Sequence, residues 1–343
     1  MKFKKLYVIS NDKVFKNNLS YSAYHNDLES ILSCFINYFN VHLVCRFTKK
    51  KYKFLINKKI KIISFNFFKN WISLRKDINN ANFLFISITP FNFIVYIFIK
   101  VLGQKKIYFY LRSNGFLEYK KIFGTPGKIL YSIMYYFISL KSLFIVTSKD
   151  LLIYNNFRNK NAKILRPSEL DNSWLSNRKI VNFKNVQLLY VGRIKVEKGI
   201  FNLLELMKNT PDNYYLNVVG LENFNGFNSN NKIAYYKQDN VINNLINFYD
   251  NSNIFILPSY TESAPKVIWE SLARLRPVIV FSDIKHVAKG KFGVYVCERN
   301  FLDLIKTVNF IMSNYKTIQN KIKNNNFPLK KDFRLQFCKF INL

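Results

Sequence analysis

Short apolar runs rich in β-branched and aromatic residues alternate along the chain with longer segments whose apolar positions have helical spacing. In the first half this pattern predicts strands at 5–9, 42–47, 61–65, 83–88, 106–111 and 143–147. It predicts helices at 24–39, 68–78, 91–102, 128–140 and 149–155. Strand followed by helix, repeated, is typical of parallel strands joined by right-handed crossovers.

A polar segment at 166–184 interrupts this alternation, which then restarts. The second half is predicted to have strands at 186–191, 215–219, 232–236, 254–257, 278–281 and 294–296. Its predicted helices are 199–208, 241–250, 266–275 and 301–321. The sequence therefore predicts two tandem Rossmann-like, doubly wound domains facing each other across a cleft, with ligands at the carboxyl ends of the strands. We divide the chain into residues 1–170, residues 171–325 and a tail, 326–343, that could pack back on the first domain.

Composition excludes bulk disorder, because 49% of the 343 residues are hydrophobic. The formal charge is +33, from 53 basic and 20 acidic residues. The abundance of Lys, Asn, Ile, Phe and Tyr is what AT-rich codons produce, so part of this charge need not reflect an anionic partner. Residues 1–170 hold 29 basic and 7 acidic residues, so the first half is the more basic one.

Three features bear on the cellular compartment. The four cysteines form no close pair, which argues against a zinc site or a disulfide framework and favours a reducing cytoplasm. The apolar run at the start is too short for a signal peptide. The uncharged stretch 83–99 approaches the length of a membrane span, but Pro90 and Asn92 lie in its middle, so we interpret it as a strand, a turn and a helix.

The first candidate site is the segment LLYVGRIKVEKG, which begins at Leu188. Gly192 is expected to allow a tight turn after a buried strand, and Arg193 and Lys198 follow it where a helix begins. Two cations beside a helix N-terminus suit a diphosphate. The alternative is a solvated basic loop, which is common in so basic a chain.

The second candidate site is the loop and helix that follow the strand 254–257. Glu262 is in the loop, Ser263 or Ala264 is expected to cap the helix, and Glu270 is expected about one and a half turns into that helix. A carboxylate can accept two hydroxyl hydrogen bonds, which suits the vicinal diols of ribose or a hexose. Alternatively, Glu270 pairs with Arg274 four residues later on the helix. Together with the cations of the first segment, these carboxylates describe a nucleoside-diphosphate site.

The segments VGRIKVEKG and PSYTESAPKVIWESLARLRPVIV resemble the two signature regions of the retaining glycosyltransferases of family 4 (glycosyl transferases group 1), which have the GT-B fold. The spacing of Glu262 and Glu270 matches the paired glutamates of that family. The resemblance covers roughly residues 186–320. Ser263 departs from it, because the family usually has Gly there.

The resemblance implies a role for each matching residue. Arg193 and Lys198 would hold the donor diphosphate beside Gly192, and Glu270 would bind the ribose hydroxyls. Glu262 would contact the donor sugar as the candidate catalytic carboxylate. The amides around Ser263 and Ala264 would help to bind the phosphate or the sugar. Neither a metal nor a cofactor is expected, and the nucleotide sugar is the donor substrate.

The first half resembles the family less. A Gly-rich loop is expected after the first strand, but the chain has Ser-Asn-Asp-Lys at 10–13. Where the family often has a His, this chain has Arg112, Ser113 and Asn114. Arg112 and Asn114 are candidates for contacts to an acceptor or a phosphate, and a salt bridge is the alternative for Arg112. His286 is a further candidate near the donor site.

These features predict a metal-independent, retaining glycosyltransferase that moves a sugar from a nucleoside diphosphate to an acceptor hydroxyl. The acceptor is expected on a lipid carrier or a growing surface polysaccharide or lipopolysaccharide, with the basic first domain on the anionic, cytoplasmic face of a membrane. The alternatives are an epimerase or phosphorylase of the same fold, a donor-binding protein without catalysis, and a nucleic-acid-binding protein, which the charge alone suggests.

Overall fold

The chain forms two compact units, Met1–Arg166 with Lys331–Leu343, and Pro167–Lys330. The computed structural model describes residues 3–17, 20–23, 26–52, 54–64, 75–104, 106–154, 162–178, 180, 185–220, 231–237 and 245–342. Most of the predicted helix 68–78 and the first residues of the predicted helix 241–250 lie outside these ranges.

The first unit is built on a mixed sheet of nine strands, of which seven run parallel in the order β5-β3-β1-β6-β7-β8-β9. Its strands are β1 (Lys5–Lys16), β2 (Tyr21–Ala23), β3 (Asn40–Thr48), β4 (Phe54–Leu55), β5 (Lys61–Ser64), β6 (Ala81–Ile86), β7 (Ile107–Leu111), β8 (Leu143–Val146) and β9 (Ala162–Ile164). Its helices are α1 (Asn26–Ser33), α2 (Pro90–Val101), α3 (Gly115–Ser139) and α4 (Lys149–Tyr154).

The first strand is longer than predicted. β1 continues beyond Ile9, through a register shift, to Lys16, and there pairs antiparallel with β2, which pairs antiparallel with β4. Residues 10–13, where a Gly-rich loop was expected, are therefore strand. The helix predicted at 128–140 is also longer: Asn114 caps α3 at its start by accepting from the Leu117 amide, and a kink at Gly124 divides it.

Alternating residues of β1 enter two separate cores, one on each side of the first sheet. Leu6 and Val8 belong to one core, and Tyr7 and Ile9 belong to the other. The C-terminal helix, α11 (Lys330–Asn342), packs on the first of these sides, where the Ile341 carbonyl accepts from the Asn82 amide at 2.9 Å. Helices α2 and α3 contribute to the core on the other side.

The second unit has a six-stranded parallel sheet in the order β12-β11-β10-β13-β14-β15. Its strands are β10 (Val186–Gly192), β11 (Tyr214–Gly220), β12 (Ile233–Tyr236), β13 (Ile254–Leu257), β14 (Val278–Phe281) and β15 (Val294–Cys297). Its helices are α5 (Asn172–Leu175), α6 (Ile200–Lys208), α7 (Leu245–Asp250), α8 (Lys266–Ala273), α9 (Phe301–Ser313) and α10 (Tyr315–Ile322). The single helix predicted at 301–321 is divided at Asn314.

This strand order reverses direction between β10 and β13. In doubly wound sheets, ligands bind at such a reversal, because the crossovers on its two sides leave in opposite directions and open a crevice at the carboxyl ends of the strands. Both segments singled out in the sequence follow these two strands. Among the described helices, none is long and apolar enough to cross a lipid bilayer.

Candidate functional site

The loops that follow β10 and β13 are held against each other. A 3₁₀ turn at Val196–Lys198 ends at Gly199, which has a left-handed backbone with φ of 67°. A β-carbon at Gly199 would collide with the carbonyl oxygen of Pro258. The Tyr260 amide donates to the Glu197 carbonyl at 3.1 Å. This close approach brings the side chains of the two segments together.

Lys198 and Glu262 form an ion pair at the centre of this junction. The Lys198 ammonium donates to Glu262 Oε1 at 2.6 Å, and the Ser259 hydroxyl donates to the same oxygen at 2.8 Å. The two charged side chains are mostly buried, with exposed fractions of 21% and 13%. His286 Nε2 lies 2.8 Å from the Glu262 carbonyl oxygen, which can only accept, so that nitrogen carries the proton. The side chain and the backbone of Glu262 are thus both fixed.

Arg193 lies at the carboxyl end of β10 and is half-buried. Its carbonyl accepts from the Tyr190 hydroxyl at 2.6 Å. The tight turn expected at Gly192 is wrong: this glycine ends the strand and has no positive φ. Glycine suits the position for another reason: a β-carbon at Gly192 would lie 2.7 Å from the Tyr190 hydroxyl oxygen, so the Tyr190 side chain would have to shift.

Glu270 is buried in α8. Its Oε2 accepts from the Tyr249 hydroxyl at 2.9 Å, and burial raises the pKa of the Glu270 carboxyl to about 7. The alternative pairing with Arg274 is wrong, because the Arg274 guanidinium binds Asp250 at 2.8 Å and also donates to backbone carbonyls, including those of Trp174 and Ser176. Arg274 is therefore not the partner of Glu270, whose hydrogen-bond donor is Tyr249.

The start of α8 differs from its prediction. The residue that precedes the helix is Pro265, so neither Ser263 nor Ala264 is the cap. Proline presets the backbone angle needed there and has no amide hydrogen to satisfy. Ser263 and Ala264 instead lie half-buried between Glu262 and the helix.

Arg299 belongs to the same edge of the second sheet and was missed in the sequence. Its guanidinium carbon lies 4.1 Å from the ring centre of Tyr260 and 4.4 Å from that of Phe281. It donates to Asp283 Oδ2 at 2.7 Å and to the Ser259 carbonyl at 3.3 Å. Arg299 thus ties the loops after β13, β14 and β15 together. Forty residues separate it from Ser259, and no local pattern marks the pair.

The two candidate residues of the first unit have structural partners. Arg112 Nη1 lies 3.1 Å from Asp27 Oδ2 in an ion pair, and the Asn114 side chain caps α3. Both follow β7 at the carboxyl edge of the first sheet. This ion pair is the alternative predicted for Arg112 from the sequence. Contacts of either residue with an acceptor stay predictions.

The buried Glu270 carboxyl is expected to make stability depend on pH. Its pKa is about 7 in the folded chain against an ordinary value of 4.5, so the folded state holds the proton more tightly. The contribution is full below about pH 4.5 and is lost as the pH rises to about 7, a change of about 3 kcal/mol in the free energy of unfolding. In Glu270→Gln this dependence should disappear. The Tm of the variant, compared with that of wild type at the same pH, should therefore increase between pH 5 and pH 7.

Glu205→Gln provides the control, because Glu205 is an exposed glutamate on α6 with a side chain 66% exposed. Its Tm difference from wild type should stay small at every pH. If the Tm difference between Glu270→Gln and wild type is also independent of pH, Glu270 is not a buried carboxyl that holds a proton.

Comparisons with known proteins bear on the family and on the fold. Residues 175–326 match the family model of glycosyl transferases group 1, which confirms the predicted resemblance. A capsular polysaccharide biosynthesis glycosyltransferase of Staphylococcus aureus, CapM, is 31% identical over 159 residues, which are 42% of each chain. An uncharacterized glycosyltransferase of Haemophilus influenzae is 28% identical over 156 residues, 42% of this chain and 44% of that protein. The chain thus matches less than half the length of these relatives.

Solved structures match nearly the whole chain. Anabaena HepE in complex with UDP has a TM-score of 0.67 at 11% identity, covering 100% of both chains. WaaG, a glycosyltransferase involved in lipopolysaccharide biosynthesis, has a TM-score of 0.65 at 13% identity, covering 98% of this chain and 99% of its own. At such identities the likeness concerns the fold, and it confirms the predicted GT-B architecture of Rossmann-like units.

Proposed function

We propose that this chain, whose residues 175–326 match the glycosyl transferases group 1, is a glycosyltransferase that moves a sugar from a nucleoside diphosphate to an acceptor hydroxyl. The observation that carries the proposal is the ion pair of Lys198 and Glu262, with Arg193 directly after β10, where the second sheet reverses its order. Cations bind a diphosphate through charge-assisted hydrogen bonds, and a carboxylate beside them can accept hydrogen bonds from sugar hydroxyls.

Each side chain has a proposed role at the donor. Arg193 and Lys198 bind the diphosphate and offset the charge that develops on the leaving nucleotide. Glu262 contacts the sugar and is the candidate catalytic carboxylate, and the amides of Ser263 and Ala264 assist. Glu270 binds the ribose through Oε1, since Tyr249 takes Oε2. That HepE was solved with UDP supports a nucleotide donor.

The finer points rest on the family resemblance. We expect retention at the anomeric carbon, as in family 4, and catalysis without a metal, because the two cations can offset the phosphate charge. The acceptor is a glycan or a lipid-linked sugar of a surface polysaccharide or lipopolysaccharide, near Arg112 and Asn114. The strongly basic first half supports peripheral attachment to the cytoplasmic face of a membrane.

A thermal-shift screen with UDP-, GDP- and ADP-sugars tests the donor site. A ligand at a hundred times its Kd stabilises the folded chain by about 2.7 kcal/mol, which should raise the Tm by several degrees. The Tm of Arg193→Ala should respond less to the same ligand. Product analysis with the labelled donor then distinguishes transfer from epimerisation. No response to any nucleotide would contradict the proposed function.

A further inference from the structure

Helix α3 is apolar on two opposite sides. One side, with Tyr131, Met134 and Ile138, is buried in the core of the first unit. The opposite side is also apolar, and its side chains are about half exposed, from 46% to 61%. These are Ile129, Leu130, Ile133, Tyr136, Phe137 and Leu140. A helix that is apolar all round is normally enclosed by protein or by lipid.

Helix α2 extends this exposed surface. It lies beside α3, where the Phe93 and Phe137 rings are 6.3 Å apart and the Tyr96 hydroxyl donates to the Phe137 carbonyl. Its exposed apolar residues recur at helical spacing on the side away from the core. We call this surface, made of Ile94, Ile97 and Val101 with the six exposed residues of α3, the α2–α3 face. A shallow groove along α3, lined by residues including Ile133 and Tyr136, belongs to it.

The segment that carries the α2–α3 face is strongly basic. Residues 90–141, which include both helices, contain eight basic residues and a single acidic one, Glu118. Lys120, Lys121, Lys128 and Lys141 are exposed on α3 or directly after it. Exposed apolar patches with a polar rim mark interaction surfaces, and a cationic rim selects an anionic partner.

We propose that the α2–α3 face lies in the interfacial layer of an anionic membrane, with its apolar side chains among the acyl chains and its lysines at the headgroups. A second copy of this chain is the weaker occupant. It would bring the same lysines against each other, between partners that each carry +33. The inference rests on the membrane attachment proposed above and assigns it to one surface.

Flotation of the full chain with vesicles tests this assignment. Wild type should bind vesicles of phosphatidylglycerol and phosphatidylcholine and bind pure phosphatidylcholine weakly. The triple variant Ile133→Ser, Tyr136→Ser, Leu140→Ser should bind the mixed vesicles at least about tenfold more weakly, because it loses the apolar insertion. Replacing Lys120, Lys121 and Lys128 by Gln should weaken binding by about fivefold per lysine and reduce the preference for the anionic lipid.

Leu302→Ser with Phe310→Ser is the matched control. Both residues are exposed apolar side chains of the second unit, and this variant should bind vesicles as wild type does. Equal binding by the triple variant, or no binding by wild type, would overturn the proposal. So would a dimer in sedimentation velocity that the triple variant abolishes. The nucleotide-induced Tm shift needs no membrane, so a retained shift in the triple variant separates this outcome from failure of the proposed donor site.

Discussion

Replacing Lys198 by Met is expected to lower the rate of sugar transfer by two to three orders of magnitude. Loss of one group that stabilises developing charge typically costs about 10² to 10³ in kcat. Met keeps the length and apolar character of the side chain but removes the ammonium that lies 2.6 Å from Glu262 Oε1. The carboxylate then keeps Ser259 as its donor but loses its counter-charge.

The test measures kcat and the affinity for the nucleoside diphosphate separately in Lys198→Met. A loss in kcat larger than the loss in affinity for the nucleoside diphosphate indicates that Lys198 acts mainly as the leaving group departs. Lys208→Met removes an exposed lysine from α6 and should keep the wild-type rate. Wild-type rates in both Lys198→Met and Arg193→Ala would refute the assigned site.

A double variant tests whether Lys198 and Glu262 act as a unit. Side chains in direct contact show non-additive effects, whereas distant ones add. Lys198→Met combined with Glu262→Gln should therefore cost less than the product of the two single losses. Additive losses in this pair would mean that the ion pair is not kept in the reacting enzyme.

The sequence predicted what depends on local pattern. Alternating strands and helices fixed the fold class, and Arg193, Lys198 and Glu262 could be placed at one sheet edge because strand ends can be recognised from apolar runs. The family signatures added roles that spacing alone does not supply. The match of residues 175–326 to group 1 covers the region in which those signatures lie.

Contacts between segments that are far apart in the sequence could not be predicted from it. The partner of Glu270 is Tyr249, which depends on how α7 packs on α8, and Arg299 reaches Ser259 across forty residues. The tight turn expected at Gly192 was wrong because β10 continues through this glycine, and the close neighbour of the position is the hydroxyl of Tyr190. The apolar helix ending near Leu140 was predicted, but only the packing shows that one of its sides stays exposed.

Replacing Gly199 by Ala is expected to destabilise the chain by about 2 to 4 kcal/mol. A non-glycine residue in the left-handed region costs about 1 to 2 kcal/mol, and here the new methyl group also meets the backbone carbonyl of Pro258, which cannot rotate away. Relief requires the loops after β10 and β13 to separate, which would pull Lys198 away from Glu262. We therefore expect transfer activity to fall together with stability.

Gly290→Ala separates the two causes. Gly290 also has a left-handed backbone, with φ of 71°, but a β-carbon there would meet nothing within 4 Å. This variant should show the conformational cost alone, with unchanged transfer activity. Urea unfolding of both variants measures the difference, which is the cost of the contact with Pro258. If Gly199→Ala proves no more destabilising than Gly290→Ala, the two loops are not in the close contact that brings Lys198 to Glu262.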